Sequence, residues 1–438
     1  VQEVVVLTAI GRAFRTPDLR RKMLFTVGII VLVRLGSFVP APGVSYSAVQ
    51  QCIDLAQTGN DLLGLANLFS GGALLQLSIF ALGIMPYITA SIIIQLLTVV
   101  IPRFEDLKKE GQQGTSKLTQ YTRYLTIGLA VLQSTTYVTI AREPSRLFGT
   151  SCNAQVLPDQ SVPTILLMVL TMTAGTGLIM WLGELVTERG VGNGMSLLIF
   201  AQIAATFPTS LLAIGRERGW LTFGGVVLVG LVVVAAVVAV EQSQRRVPVQ
   251  YAKRMIGRRM YGGTSTYIPL KVNMAGVIPV IFASSLLYLP ALVAQFNDPN
   301  EAWVAWITDH FTKGDHPLYM AAYFLLIIFF AYFYVAITFN PDEVAENMRK
   351  YGGFIPGVRA GRPTAEYLDY ILTRITLPGS LYLGLISLLP LIAFVLFNAN
   401  TNFPFGGTSI LIIVGVGLET VKQIESQLQQ RNYEGFLR

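Results

Sequence analysis

The chain has 438 residues, 53% of them apolar and only 13% charged, with a formal net charge of +7. A soluble domain carries about 25% charged residues, so this composition excludes an ordinary soluble enzyme and indicates a polytopic membrane protein. The apolar runs are roughly 20 residues long rather than alternating ten-residue segments, which makes the spans helices and excludes a β-barrel.

In chain order, residues 1–23 form a basic segment holding Arg12, Arg15, Arg20, Arg21 and Lys22, a composition that anionic lipid attracts. Its apolar VVVL precedes the basic residues and no small-residue cleavage pattern follows, so it does not read as a cleavable signal peptide. Ten spans are predicted, at 24–41, 74–101, 121–140, 163–183, 194–214, 221–240, 272–293, 318–339, 375–397 and 407–424. They divide into a first half, 24–214, and a second half, 215–424, followed by a tail, 425–438. Segments on one side of the spans carry 26 of the 32 Lys and Arg residues. By the positive-inside rule that side is the cytoplasm, with both termini in it.

Arg34 interrupts the first span. Near the helix end it either snorkels outward or pairs with polar groups near a pore. The run 62–100, LLGLANLFSGGALLQLSIFALGIMPYITASIIIQLLTVV, contains no charge and exceeds one crossing. Gly71-Gly72 split off a short piece, 62–72, which either dips into a cavity inside the bundle or lies outside as an apolar loop. Cys52 and Cys152 fall in predicted outer loops, 100 residues apart, where a disulfide is geometrically possible. Their surroundings offer no CxxC or His-rich metal site.

The fourth span runs into WLGELVTERGVGNGMSLLIF, where Glu184, Glu188 and Arg189 read as a charged helix end before a tight turn at Gly190, Gly192 and Gly194. After the sixth span, QSQRRVPVQYAKRMIGRRMYGGTSTYIPLK (242–271) is predicted to be a cytoplasmic hairpin turning at Gly262-Gly263. Its arginines are either solvated positive-inside charge or a docking surface for an acidic or RNA-containing partner. Loop 340–374 is the other large cytoplasmic element.

Residues 83–91, GIMPYITAS, recur as 276–284, GVIPVIFAS. The copies fall five spans apart, so the halves are predicted to be an inverted repeat. No Asp, Glu or His lies at mid-membrane depth, as coupled pumps normally require. No phosphate loop, HExxH or GxSxG motif occurs. The residues therefore favour a passive conduit whose energy comes from elsewhere, or a transporter of a neutral solute, and no enzyme, cofactor or metal chemistry is expected.

Longer stretches carry a family resemblance. SIFALGIMPYITASIIIQLLTVV (78–100), QRRVPVQYAKR (244–254), PLKVNMAGVIPVIFASS (269–285), FNPDEVAENMRKYGGFIPGVRAGRPT (339–364) and FGGTSILIIVGVGLE (405–419) are similar to the bacterial members of the SecY/Sec61 alpha family of protein-conducting channels. The resemblance implies an all-α fold of ten transmembrane helices in two inverted five-helix halves around a central pore, with a short plug helix. It implies a bacterial inner-membrane location, with SecE, SecG, the SecA ATPase, the ribosome and nascent chain, signal sequences and anionic lipids as partners.

Carried over residue by residue, the pore ring resembles Ile84, Ile88, Met195, Ile199, Ile281 and Ile412, with Met195 standing where isoleucine is more usual. The plug resembles 62–72, including Leu65, Ala66, Asn67, Leu68, Phe69, Ser70, Gly71 and Gly72. Gln95 and Asn273 resemble the polar pair of a lateral gate, with Lys271 just outside it, although Asn273 equally reads as an interhelical fastener. Pro86 is expected to loosen the helix between Ile84 and Ile88. Arg245, Arg246, Lys253, Arg254, Arg258, Arg259 and Arg359 resemble the platform for ribosome and motor.

Overall fold

The computed structural model describes residues 16–55, 70–142, 152, 154–251, 254–256, 259–261, 265–295, 301–312, 316–397 and 407–434. In chain order the helices are α1 (Pro17–Gly36), α2 (Tyr46–Leu55), α3 (Met85–Val100), α4 (Pro102–Lys109), α5 (Gln112–Ala141), α6 (Val162–Arg189), α7 (Gly194–Arg218) and α8 (Trp220–Gln242). Strands β1 (Gln244–Tyr251), β2 (Arg254–Ile256), β3 (Arg259–Tyr261) and β4 (Ser265–Lys271) follow. Then come α9 (Ile278–Gln295), α10 (Ala302–Ile307), α11 (Pro317–Thr338), α12 (Pro341–Lys350), β5 (Gly353–Phe354), α13 (Arg362–Phe397) and α14 (Gly407–Glu434).

Each predicted span overlaps one helix, but several boundaries move. Among the described residues, five helices are long and apolar enough to cross a membrane, and α3 with α4, bent by 100°, makes a sixth. The apolar stretches Gly194–Pro208 and Ile278–Leu287 are shorter. Pro208 and Pro290 lie inside α7 and α9, where a proline removes one ladder hydrogen bond.

The largest correction concerns the second span. It is helical only from Met85, and residues 70–84 run as turns. Leu77 takes a left-handed φ of 46°, which a helix cannot accommodate. The backbone there pairs with the segment that follows α1 instead. The Ala41 N–H donates to the Leu77 carbonyl (2.9 Å), and the Ile79 N–H donates to the Val39 carbonyl (3.0 Å). The seventh span likewise starts late, at Ile278 rather than 272.

The predicted loop 340–374 is largely helical. Asn340 caps α12 by accepting from the Asp342 N–H (3.1 Å), with Pro341 in the first turn and Arg349 and Lys350 in the last. Such an arrangement satisfies orphan donors and complements the helix dipole. α13 begins at Arg362, so the ninth span extends well beyond the membrane on that side. α14 similarly continues into the predicted tail.

The fold is not wholly α. β1 pairs antiparallel with β4 and with β5, and β2 pairs with β3. Ile256 pairs with Arg259 across the β2–β3 ladder; the predicted turn at Gly262-Gly263 lies outside the described residues. Val247 and Val249 alternate with exposed neighbours and bury against α11, α12 and α13.

The main core gathers α1, α3, α6, α7, α9, α11 and α14 around one apolar cluster. A second core packs residues 74–82 beneath α2, the end of α5 and the start of α6. Cys52 lies in α2 rather than in a loop and is disulfide-bonded to Cys152, both buried in that second core.

The repeat copies begin alike. Gly83 (φ 57°) and Gly276 (φ 61°) are both left-handed, and each helix starts two residues later. Left-handed backbone favours glycine because it lacks a Cβ. The helices also enter from opposite ends. α4, which follows α3, reaches the end of α11 through Lys108 Nζ, which donates to the Ile337 carbonyl (3.2 Å). That end leads to β5, which pairs with β1 of the hairpin from which α9 departs.

Candidate functional site

The six predicted ring residues share the main apolar cluster. Ile84 and Ile412 are each 1% exposed, Ile199 is 5% and Ile88 is 8%, while Met195 and Ile281 are partly buried against them. They come from the starts of α3, α7, α9 and α14. Ile84 is the N-cap of α3, so Pro86 falls in the first turn and not mid-helix. A proline there sacrifices no hydrogen bond and sets φ for the helix, so it does not loosen it.

α7 is positioned by a tight turn. Asn193 caps it, its Oδ1 accepting from the Met195 N–H (3.1 Å) and the Ser196 N–H (3.4 Å). The Gly194 N–H donates to Thr187 Oγ1 (2.9 Å), and the Val191 N–H donates to Thr26 Oγ1 (3.2 Å). A Cβ at Gly194 would lie 2.0 Å from the Gly183 carbonyl oxygen, so glycine is what lets α6 and α7 approach. The Met195 thioether rests on Gly183, whose own Cβ would meet its Sδ at 2.5 Å. A pliable thioether suits such an irregular gap.

Of the predicted plug, residues 62–69 lie outside the described residues, including Leu65, Ala66, Asn67, Leu68 and Phe69. Ser70, Gly71 and Gly72 form a turn rather than a helix, with left-handed φ at Gly71 (67°) and Gly72 (89°). Gly71 is seated in the bundle. The Arg34 Nη1–H donates to its carbonyl, and the guanidinium also lies 4.8 Å from the Phe38 ring centroid. Of the two readings of Arg34, pairing with polar groups is the one the structure shows.

The structure does not join Gln95 to Asn273. Gln95 Nε2 lies 3.5 Å from Ser91 Oγ on its own helix. Asn273 is buried, and its Nδ2 donates to Glu241 Oε1 (2.6 Å) and to the Gly276 carbonyl (3.1 Å). It therefore fastens the end of α8 to the approach to α9. Lys271 is exposed beside this pair and, with Lys422, brings positive charge to the Glu241 carboxylate. The 32 residues between Glu241 and Asn273 hid the pairing.

Glu184 is likewise tied to another element. Arg123 Nε and Nη2 donate to its two carboxylate oxygens at 2.9 and 2.7 Å, a bidentate fork between α5 and α6. α3 packs closely along α5, and α9 along α11, while α3 and α9 touch more sparsely.

Arg245 and Arg246 are exposed on β1, and Arg246 lies 4.8 Å from the Tyr267 ring centroid. Arg254 and Arg259 sit on the paired strands β2 and β3. Lys253 and Arg258 lie outside the described residues. Arg359 is exposed between the left-handed Gly357 (φ 84°) and Gly361 (φ 104°), and its carbonyl accepts from Thr364 Oγ1–H (2.8 Å). Among the described residues no acid forms an ion pair with it, so the side chain is free to meet a partner.

The model of the SecY family matches residues 78–421. The protein translocase subunit SecY of Streptomyces galbus is 70% identical over 438 residues, covering 99% of this chain and all of that one. The subunit of the same name from Mycobacterium bovis is 58% identical over 443 residues, again covering 99% of this chain and all of that one. A solved protein-conducting channel superposes with a TM-score of 0.62 at 17% identity, covering 92% of this chain and 91% of that one. Sec61 in the canine ribosome-channel complex superposes with a TM-score of 0.58 over the same shares.

Proposed function

The chain belongs to the SecY family, and on that premise we propose that it is the pore-forming subunit of a protein-conducting channel in a bacterial cytoplasmic membrane. Unfolded secretory polypeptides cross through its centre, and hydrophobic segments leave sideways into lipid between α3 with α5 and α9 with α11. One observation carries this reading. Ile84, Ile199 and Ile412, from three separate helices, are buried together in one apolar cluster. An apolar constriction of that kind excludes ions by dewetting, yet it yields to varied side chains because it makes no directional bonds.

The subunit is not an enzyme. The work of one-way transport comes from outside it, through the cytoplasmic platform of Arg245, Arg246, Lys253, Arg254, Arg258, Arg259 and Arg359. We assign that platform to the SecA ATPase and the ribosome. SecE and SecG are its membrane partners, signal sequences open the lateral gate near Gln95, Lys271 and Asn273, and anionic lipid holds the basic N-terminal segment. Both termini are cytoplasmic, which the Lys and Arg distribution supports.

The test combines two measurements on the reconstituted channel complex. Resting conductance is expected to be low, and a stalled secretory chain is expected to crosslink to a photoreactive residue placed at position 281. A chain that crosses without reaching position 281 overturns the pore assignment. Arg359→Glu is expected to lower motor-driven translocation at limiting SecA about 30-fold, the equivalent of losing roughly 2 kcal/mol from a charged contact. Resting conductance should be unchanged, and an unaltered translocation rate moves the docking role to Arg245–Arg259.

A further inference from the structure

The 100° bend between α3 and α4 turns a short charged helix across the bundle instead of along it. α4 is held to α5 as one piece. A Cβ at Gly114 of α5 would lie 1.7 Å from the Leu107 carbonyl oxygen, so glycine is what lets the two backbones meet. The Phe104 and Tyr121 rings pack edge-on at 5.6 Å, and Lys117 Nζ lies 3.8 Å from Glu110 Oε2. Lys109 pairs within α4, at 2.7 Å from Glu105. Its neighbour Lys108 does something else. It donates to the Ile337 carbonyl (3.2 Å), 229 residues away in the last turn of α11.

That carbonyl lacks a helical partner for a reason written in the sequence. The residue four places on is Pro341, which has no N–H to give. Lys108 supplies the missing donor, and its charge meets the negative end of the α11 dipole. The bond also crosses a seam. α4 and α5 belong with α3, α11 belongs with α9, and α3 touches α9 only sparsely. We propose that Lys108 is a positioning residue, a latch that α4 carries on α5 and that caps α11 across this seam. Parting the two flanks strips Ile337 of its cation. An exposed charge at a helix C-terminus shifts an equilibrium about two- to fivefold. The latch therefore biases the seam toward closure without locking it, and an apolar segment entering between the flanks can break it. This inference rests on the sideways-exit reading above.

The experiment uses the reconstituted complex with spin labels at Tyr124→Cys on α5 and Leu325→Cys on α11, both exposed positions. The natural cysteines are bonded to each other and take no label. The distance between labels reports the fraction of channels whose flanks have parted. Lys108→Met keeps an unbranched side chain without the charge and is expected to raise the resting parted fraction two- to fivefold. Lys108→Arg keeps a cationic donor and is expected to return it to the parent value. Lys109→Met is expected to change nothing, because Lys109 bonds inside α4. A parent-like fraction in Lys108→Met overturns the latch. An equal rise in Lys109→Met also overturns it, since the effect is then one of general charge. Adding a synthetic signal peptide separates this failure from that of the underlying reading. If the peptide leaves the label distance of the parent unchanged, the sideways exit itself fails. If it parts the labels while Lys108→Met matches the parent at rest, the latch alone fails.

Discussion

The two helix starts led by Gly83 and Gly276 share a sequence motif, a left-handed glycine and a helix beginning two residues on, yet their approaches are built differently. The first is held by backbone pairing to residues 39–41 and by a small core that a disulfide pins. The second emerges from a β-hairpin, where the Val272 N–H donates to the Ser243 carbonyl (3.0 Å) and Asn273 reaches Glu241. The repeat thus preserves the hinge and frees its supports. One hinge is anchored firmly to a cap on one side of the bundle. The other is tied to the arginine-bearing hairpin on the opposite side.

This contrast can be broken first at the disulfide. Replacing Cys52 and Cys152 with serine is expected to cost about 2–4 kcal/mol, because the bond closes a loop of 100 residues. Hydrogen exchange should quicken at the amides of Ala41 and Ile79 and stay unchanged along β1 and β4. Equal loss of protection in both regions refutes the separate anchoring of the two hinges.

Asn273→Leu acts on the other approach. It leaves the Glu241 carboxylate without its neutral donor, at a cost of about 1–3 kcal/mol. Crosslinking of a signal sequence to cysteines along α9 is expected to change several-fold, while exchange at Ile79 stays at the parent level. Unchanged crosslinking removes Asn273 from the gate.

The smallest effects come from the hinges themselves. Gly276→Ala meets open space, so its cost is the left-handed backbone alone, about 1 kcal/mol. Gly83→Ala is expected to cost the same amount in thermal unfolding, since the two φ values differ by only a few degrees. A much larger loss at one site shows that the two hinges differ in packing as well as in support.

Much of this was legible in the sequence because hydropathy is a local signal. Every span left an apolar run, and the uneven spread of Lys and Arg between the loops left a count. The failures have one physical origin. Residues 70–84 are as apolar as the helix they precede, so periodicity gave no reason to end the span there. What ends it is a set of contacts with residues 39–41, and composition does not encode them. Asn273 and Glu241, Arg123 and Glu184, and Cys52 and Cys152 are likewise joined by the fold across 32, 61 and 100 residues.

The pairing of residues 39–41 with 77–79 also bears on how this chain can change over evolutionary time. The stretch between the paired segments enters and leaves the bundle at one fixed clamp. The entropy of closing such a loop grows only with the logarithm of its length, about 0.6 kcal/mol per doubling. Changes of length between α2 and Ser70 are therefore expected to leave α1 and α3 where they are, because the clamp and the disulfide-pinned core on either side of that segment hold its ends.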